Sequence, residues 1–94
     1  MKTMHKHRLE ISSEAQQLKL SAEGVVREVA YIQQERALYL WAEVPAGSVI
    51  DANQVERSFK VFSTGDGIPD HAVYIGTAHD VMAPEAFHVY ELTE

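Results

Sequence analysis

Apolar, β-branched and aromatic residues alternate with polar ones at a period of two through most of this chain. That pattern constrains the fold more than any other feature, because successive side chains on a strand point to opposite faces. His5, His7, Leu9 and Ile11 fall on one face of a first strand, with Lys6, Arg8 and Glu10 on the other. Leu18 and Leu20 flank Lys19 in a short second strand, after a break at Ser12-Ser13-Glu14. Ser21 to Gly24 reads as a turn. Val25 to Gln33 then leads through Gln34-Glu35-Arg36 into Ala37 to Val44, a hairpin with a short polar connection. In the last of these strands Leu38, Leu40, Ala42 and Val44 share a face, while Tyr39 and Trp41 make the other face apolar too, which marks a central strand.

Pro45-Ala46-Gly47 ends that strand, and the polar stretch containing Ser48, Asp51, Asn53 and Gln54 reads as the longest loop, with a helical turn within Ile50 to Arg57. Ser58 to Ser63 is a further strand, with Phe59 and Val61 on one side and Phe62 on the other. Gly65, Gly67 and Pro69 make Thr64 to Asp70 an ordered turn, since glycine supplies positive φ and proline presets φ near −65°. Ala72 to Thr77 and Ala86 to Leu92 complete about seven strands. The expectation is one domain over residues 1–94, all-β, forming an antiparallel sandwich or partly open barrel. Its expected core is Leu40, Ala42, Val44, Phe59, Val61, Val73, Ile75, Phe87 and Val89. A competing reading is α+β with one short helix, because Ser12 to Leu20 offers an N-cap serine, an early acid and helix formers.

Charge narrows the function classes. Residues 61–94 carry six acidic side chains and no Lys or Arg, whereas residues 1–20 hold four bases against two acids, and the whole chain sums to −6. A negative surface repels nucleic acid and selects basic partners. Absence of cysteine removes disulfides, thiolate nucleophiles and Cys-based zinc sites, and fits a reducing compartment. The polar start MKTMHKHRLE lacks the apolar run of a signal peptide, and no stretch approaches the roughly 20 apolar residues of a membrane span. These features lead to an expectation of a cytoplasmic protein that contacts neither membrane nor nucleic acid directly.

Candidate chemistry is sparse. His5 and His7, at i and i+2, stand about 6.6 to 7 Å apart at Cα, within reach of one transition metal, but no third or fourth ligand is apparent nearby. Alternation with Lys6 and Arg8 fits interface or partly buried histidines as well, and no metal or cofactor is expected. His71 and His79, separated by a strand, would stand roughly 25 Å apart and cannot share an ion. His88 shares a face with Tyr90 and reads as a packed or hydrogen-bonded sheet residue rather than a general base. Thr64-Gly65-Asp66-Gly67 lacks the following base and helix that a phosphate loop uses, so it reads as a turn. No Ser-His-Asp or paired-carboxylate spacing is recognisable, and the chain is not expected to be an enzyme. Tyr31, Tyr39 and Trp41 read as core; were Tyr39 and Trp41 to point away from it, a second copy packing there as a homodimer would be the expected cause.

In order along the chain, Gln33, then Leu40-Trp41-Ala42 with Val44, then Thr64-Gly65 with Ile68-Pro69, then Tyr74-Ile75-Gly76-Thr77, then Phe87-His88-Val89-Tyr90-Glu91 resemble a family of small uncharacterised proteins from tailed phages and prophages. The chain departs from that family near His5 and His7, where aromatic residues are usual, and at Asp66-Gly67, where His-Pro is usual, so a site built on that turn histidine would be absent. The resemblance implies a phage or mobile-element setting, and with it the cytoplasm of a bacterial host. Inhibitors of bacterial defence such as anti-CRISPR proteins resemble this chain in size and charge. The resulting expectation is a non-enzymatic protein that binds and occludes a host protein, such as a nucleic-acid-binding defence complex, through an acidic surface containing Asp66, Asp70, Asp80 and Glu85. The alternative is a phage accessory or virion-associated structural protein.

Overall fold

The computed structural model describes residues 1–46 and 54–93. Seven strands follow one another: β1 (Lys2–Leu9), β2 (Gln16–Ser21), β3 (Val25–Ile32), β4 (Ala37–Pro45), β5 (Gln54–Phe62), β6 (Val73–Asp80) and β7 (Glu85–Leu92). They form a three-stranded sheet in the order β1-β4-β3 and a four-stranded sheet in the order β2-β5-β7-β6, antiparallel throughout. The two sheets face each other as a sandwich that does not close into a barrel. Among the described residues there is no helix.

β4 is central in its sheet, as its two apolar faces demand: Leu38, Leu40, Ala42 and Val44 enter the core, and Tyr39 and Trp41 point to the outer face. Tyr39 is nevertheless covered there, because Lys6 Nζ lies 4.1 Å from its ring centre and Glu35 accepts a hydrogen bond from its hydroxyl. From the other sheet, Phe59 and Val61 of β5 and Phe87 and Val89 of β7 meet the inner face of β4. At about 25 cal/mol per Å² of apolar surface removed from water, such interdigitated side chains are the main source of stability.

Four expectations need correction. Ser12 to Leu20 holds no helix: Ser12 Oγ accepts the Glu14 amide at 3.0 Å in a local turn, and Gln16 to Ser21 pair with β5. Leu18 and Leu20 lie two apart on the inner face, a strand period that overrides the cap signal. The first strand ends at Leu9 rather than Ile11, because the Gln16 side chain binds the Glu10 N–H at 2.8 Å and its C=O at 2.9 Å, turning the chain out of the sheet. Gln54 to Arg57 belong to β5 rather than to a loop or helical turn; the rest of that predicted loop lies outside the described residues. Finally, Val73 is 50% exposed, and a β-bulge at Ile75 shifts the alternation so that Gly76 and Ala78 take the inner positions while Ile75 packs at the core margin.

Gly76 has a packing reason. A Cβ there would lie 3.2 Å from Val29 Cγ2, so the missing side chain lets β6 approach β3 and join the two sheets along one side. β1, on the opposite side, makes nearly all its contacts with β4 alone, and seven of its eight residues are not fully buried.

Arg57, on the inner face of β5, is the largest departure from simple alternation. Its Nε and Nη2 donate to both carboxylate oxygens of Glu91 at 2.7 and 2.8 Å, and Nη1 donates to the carbonyls of Ser21 and Gly24 at 3.1 and 2.7 Å. The Glu91 hydrogen bonds raise the pKa of this guanidinium above its ordinary value. Such bidentate pairing is what makes a largely buried charge tolerable.

Candidate functional site

One end of the sandwich gathers three connections: residues 10–15 between β1 and β2, the start of the β5–β6 loop, and the β6–β7 turn. Between them lies a groove of about 480 Å³ lined by Ser12, Ser13, Thr64, Asp66 and Glu85, with Phe87 among the apolar lining residues. Asp66 shapes its own turn: its carboxylate accepts the Ser63 amide at 2.8 Å, its N–H donates to the Ser63 carbonyl at 3.0 Å, and Gly65 between them has φ 98°. The left-handed region there suits glycine, as the sequence anticipates.

Asp80 and Glu85 are cross-strand neighbours flanking the β6–β7 turn. The Asp80 carboxylate points back into the protein. It accepts Gln33 Nε2 at 2.6 Å, the Met82 amide at 3.1 Å and the Ala83 amide at 3.3 Å, and these hydrogen bonds, Gln33 first, hold it below the usual carboxylate range. Desolvation and the same carboxylate push the nearby Tyr31 hydroxyl up. The consequence is a turn whose backbone is tied down while Val81 and Met82 stand 74% and 80% exposed. Arg36 lines a shallow cavity behind this tip together with Gln33 and Asp80.

Of the four acidic residues singled out by sequence, Asp66 and Glu85 line the same groove and Asp80 is the register partner of Glu85. Asp70 stands apart. It lies in the turn just before Val73, where the Thr93 hydroxyl donates to the His71 carbonyl at 2.9 Å. The length of β6 separates that position from Asp80 by about 23 Å at 3.3 Å per residue. Among the described residues, ion pairs form at Lys2–Glu43, Arg27–Glu43 and Arg57–Glu91, and none involves these four acids.

His88 is hydrogen-bonded within the outer face of its sheet. Its Nε2 lies 2.9 Å from the Thr64 hydroxyl and its Nδ1 lies 3.0 Å from that of Thr77, which in turn lies 2.7 Å from the Tyr74 hydroxyl. Tyr90 packs edge-on against both Phe62 and Tyr74 at 5.4 Å between ring centres. This arrangement anchors the β5–β6 loop to the sheet beside the groove. Among the described residues, no group of three or more His, Cys, Asp or Glu side chains could hold a metal ion, and no helix is long and apolar enough to cross a membrane.

Sequence reasoning missed Val81 and Met82 because it ended the sixth strand at Thr77 and left the stretch before Ala86 unassigned. The signal was there: two large apolar residues between Asp80 and Glu85, with a proline following. Gln33 was noted only as a landmark, and its role in fixing Asp80 depends on a contact 47 residues away in sequence. No curated protein and no solved structure shows a significant match to the chain. A family model matches residues 1–94, and it shows that the chain belongs to the family described as Domain of unknown function (DUF7352).

Proposed function

We propose that this protein is a non-enzymatic binding module that docks a basic protein surface through the groove and turn at the Glu85 end of the sandwich. One observation carries the reading: Val81 and Met82 are displayed on a turn held by the Asp80 carboxylate, and that turn leads into Glu85, which lines the groove together with Asp66. Exposed large apolar groups next to a groove mark contact sites, and a tip already ordered loses little conformational freedom on binding. Acidic flanks favour a partner whose apolar cleft is rimmed by Lys or Arg, and they act mainly on encounter rate and specificity. A phage or prophage setting, with a nucleic-acid-binding host defence complex as the occluded partner, rests on the sequence resemblance and the charge balance.

Affinity capture from a bacterial lysate at low and high salt, comparing wild type with a Met82→Ser, Glu85→Lys variant, tests the site. A Lys19→Glu variant serves as a surface control. Capture that falls with the first variant, persists with the control and weakens at high salt supports the reading. Salt screening shortens the Debye length from about 10 Å at 0.1 M to 3 Å at 1 M. Equal capture by wild type and the double variant excludes this end of the molecule as the docking site.

A further inference from the structure

His5 and His7 project from the inner face of β1, opposite Ala42 and Leu40 of β4. Their ring centres lie 6.4 Å apart, His5 is exposed, and His7 Nε2 is buried without a hydrogen-bond partner. Two imidazoles are half of a tetrahedral set. Among the described residues no strand pairs with the other edge of β1, so its main-chain groups along that edge are open to a further strand.

We propose that two copies of this chain pair through β1 in antiparallel fashion and that His5 and His7 of both copies together bind one zinc-class divalent ion. A two-fold axis at Lys6 sets the register by symmetry: residue pairs then sum to 12, so His5 of each copy faces His7 of the other on the inner face. Opposed Cα atoms in an antiparallel pair lie about 4.5 to 5.5 Å apart, and residues i and i+2 about 6.6 to 7 Å. Four imidazoles thus surround one point at spacings that nitrogen ligands at about 2.0–2.1 Å from zinc can span. Imidazole donors suit zinc, copper and nickel, whereas calcium and magnesium take oxygen ligands.

The same register agrees elsewhere. Thr3 meets Leu9 on the inner face, and Met4 meets Arg8 on the outer face. Lys6 would oppose its own copy, but its ammonium leans over Tyr39, 4.1 Å from that ring centre, toward β4 and away from the axis. The site is incomplete in one copy, in keeping with the absence of any three-residue metal cluster among its described residues.

Sedimentation velocity and isothermal titration of the full chain with zinc test the proposal. The expected result is a doubling of mass at one zinc per two chains, reversed by EDTA. His5→Gln and His7→Gln should each abolish the doubling while circular dichroism stays that of the wild type. A wild-type chain that remains monomeric in excess zinc overturns the proposal, as does binding of one zinc per chain without a change in mass. Zinc-driven dimers that persist in the His5→Gln, His7→Gln double variant overturn it too. If a variant fails to fold, the mass and stoichiometry of the wild-type chain in zinc still test the proposal.

Discussion

The two sides of the sandwich are built on opposite terms. Along the β3–β6 side the sheets are fastened together: Gly76 lets the strands approach, Gln33 reaches Asp80, and Tyr31 packs on Phe87 with ring centres 5.5 Å apart. Along the other side β1 hangs from β4 with most of its surface open. A domain of this size has a small core, and β1 contributes only Leu9 to it. Stability should therefore be distributed unevenly, and four variants can break or sharpen the contrast.

The largest effect is expected on the fastened side and at the buried pair beside it. Glu91→Ala leaves Arg57 as an uncompensated, largely buried charge and should destabilise the domain by about 3 to 5 kcal/mol in urea unfolding. A loss below about 1 kcal/mol would show that solvent reaches the guanidinium easily. Gly76→Val should cost about 1 to 3 kcal/mol, because the added side chain must push β6 away from Val29. If Gly76→Val melts like wild type, the close approach of these strands is not a source of stability.

The smallest effect is expected at β1, and its sign can be read from pH. His7 has a lowered folded-state pKa, so the unfolded chain binds its proton more readily. The associated stability is present above the unfolded value of about 6.5 and is lost as pH falls through that value toward the folded one. His7→Gln should remove this slope between neutral and mildly acidic pH, and Met4→Lys on the exposed face should change stability by less than about 0.5 kcal/mol. An undiminished slope in His7→Gln would assign it to another histidine.

Most strands were legible in the sequence because alternation is a local signal and turns carry their own chemistry: the two apolar faces of β4 and the Gly65 turn were both readable. The inner position of Arg57 was not, since alternation treats a charge as solvent-facing and its partner lies 34 residues away. The bulge at Ile75 was equally hidden, because one extra residue inverts the faces without changing the composition of β6. The candidate site was legible only in part. A base-free stretch showed that the C-terminal third is acidic, but which acids meet depends on strand length, which carries Asp70 away from Asp80, and on hydrogen bonds that turn the Asp80 carboxylate inward.

The Arg57–Glu91 pair also has a bearing on errors of assembly. A slip of β5 by one residue against its neighbours would swing Arg57 to solvent and carry Lys60 into the apolar interior, stranding Glu91 without its partner. Slips in an all-apolar strand are cheap and leave a chain with several near-equivalent pairings. Here the misaligned forms would each bury an unmatched charge, so the pair acts as a proofreading device: it separates the native alignment from its nearest competitors by more than it deepens the native state itself.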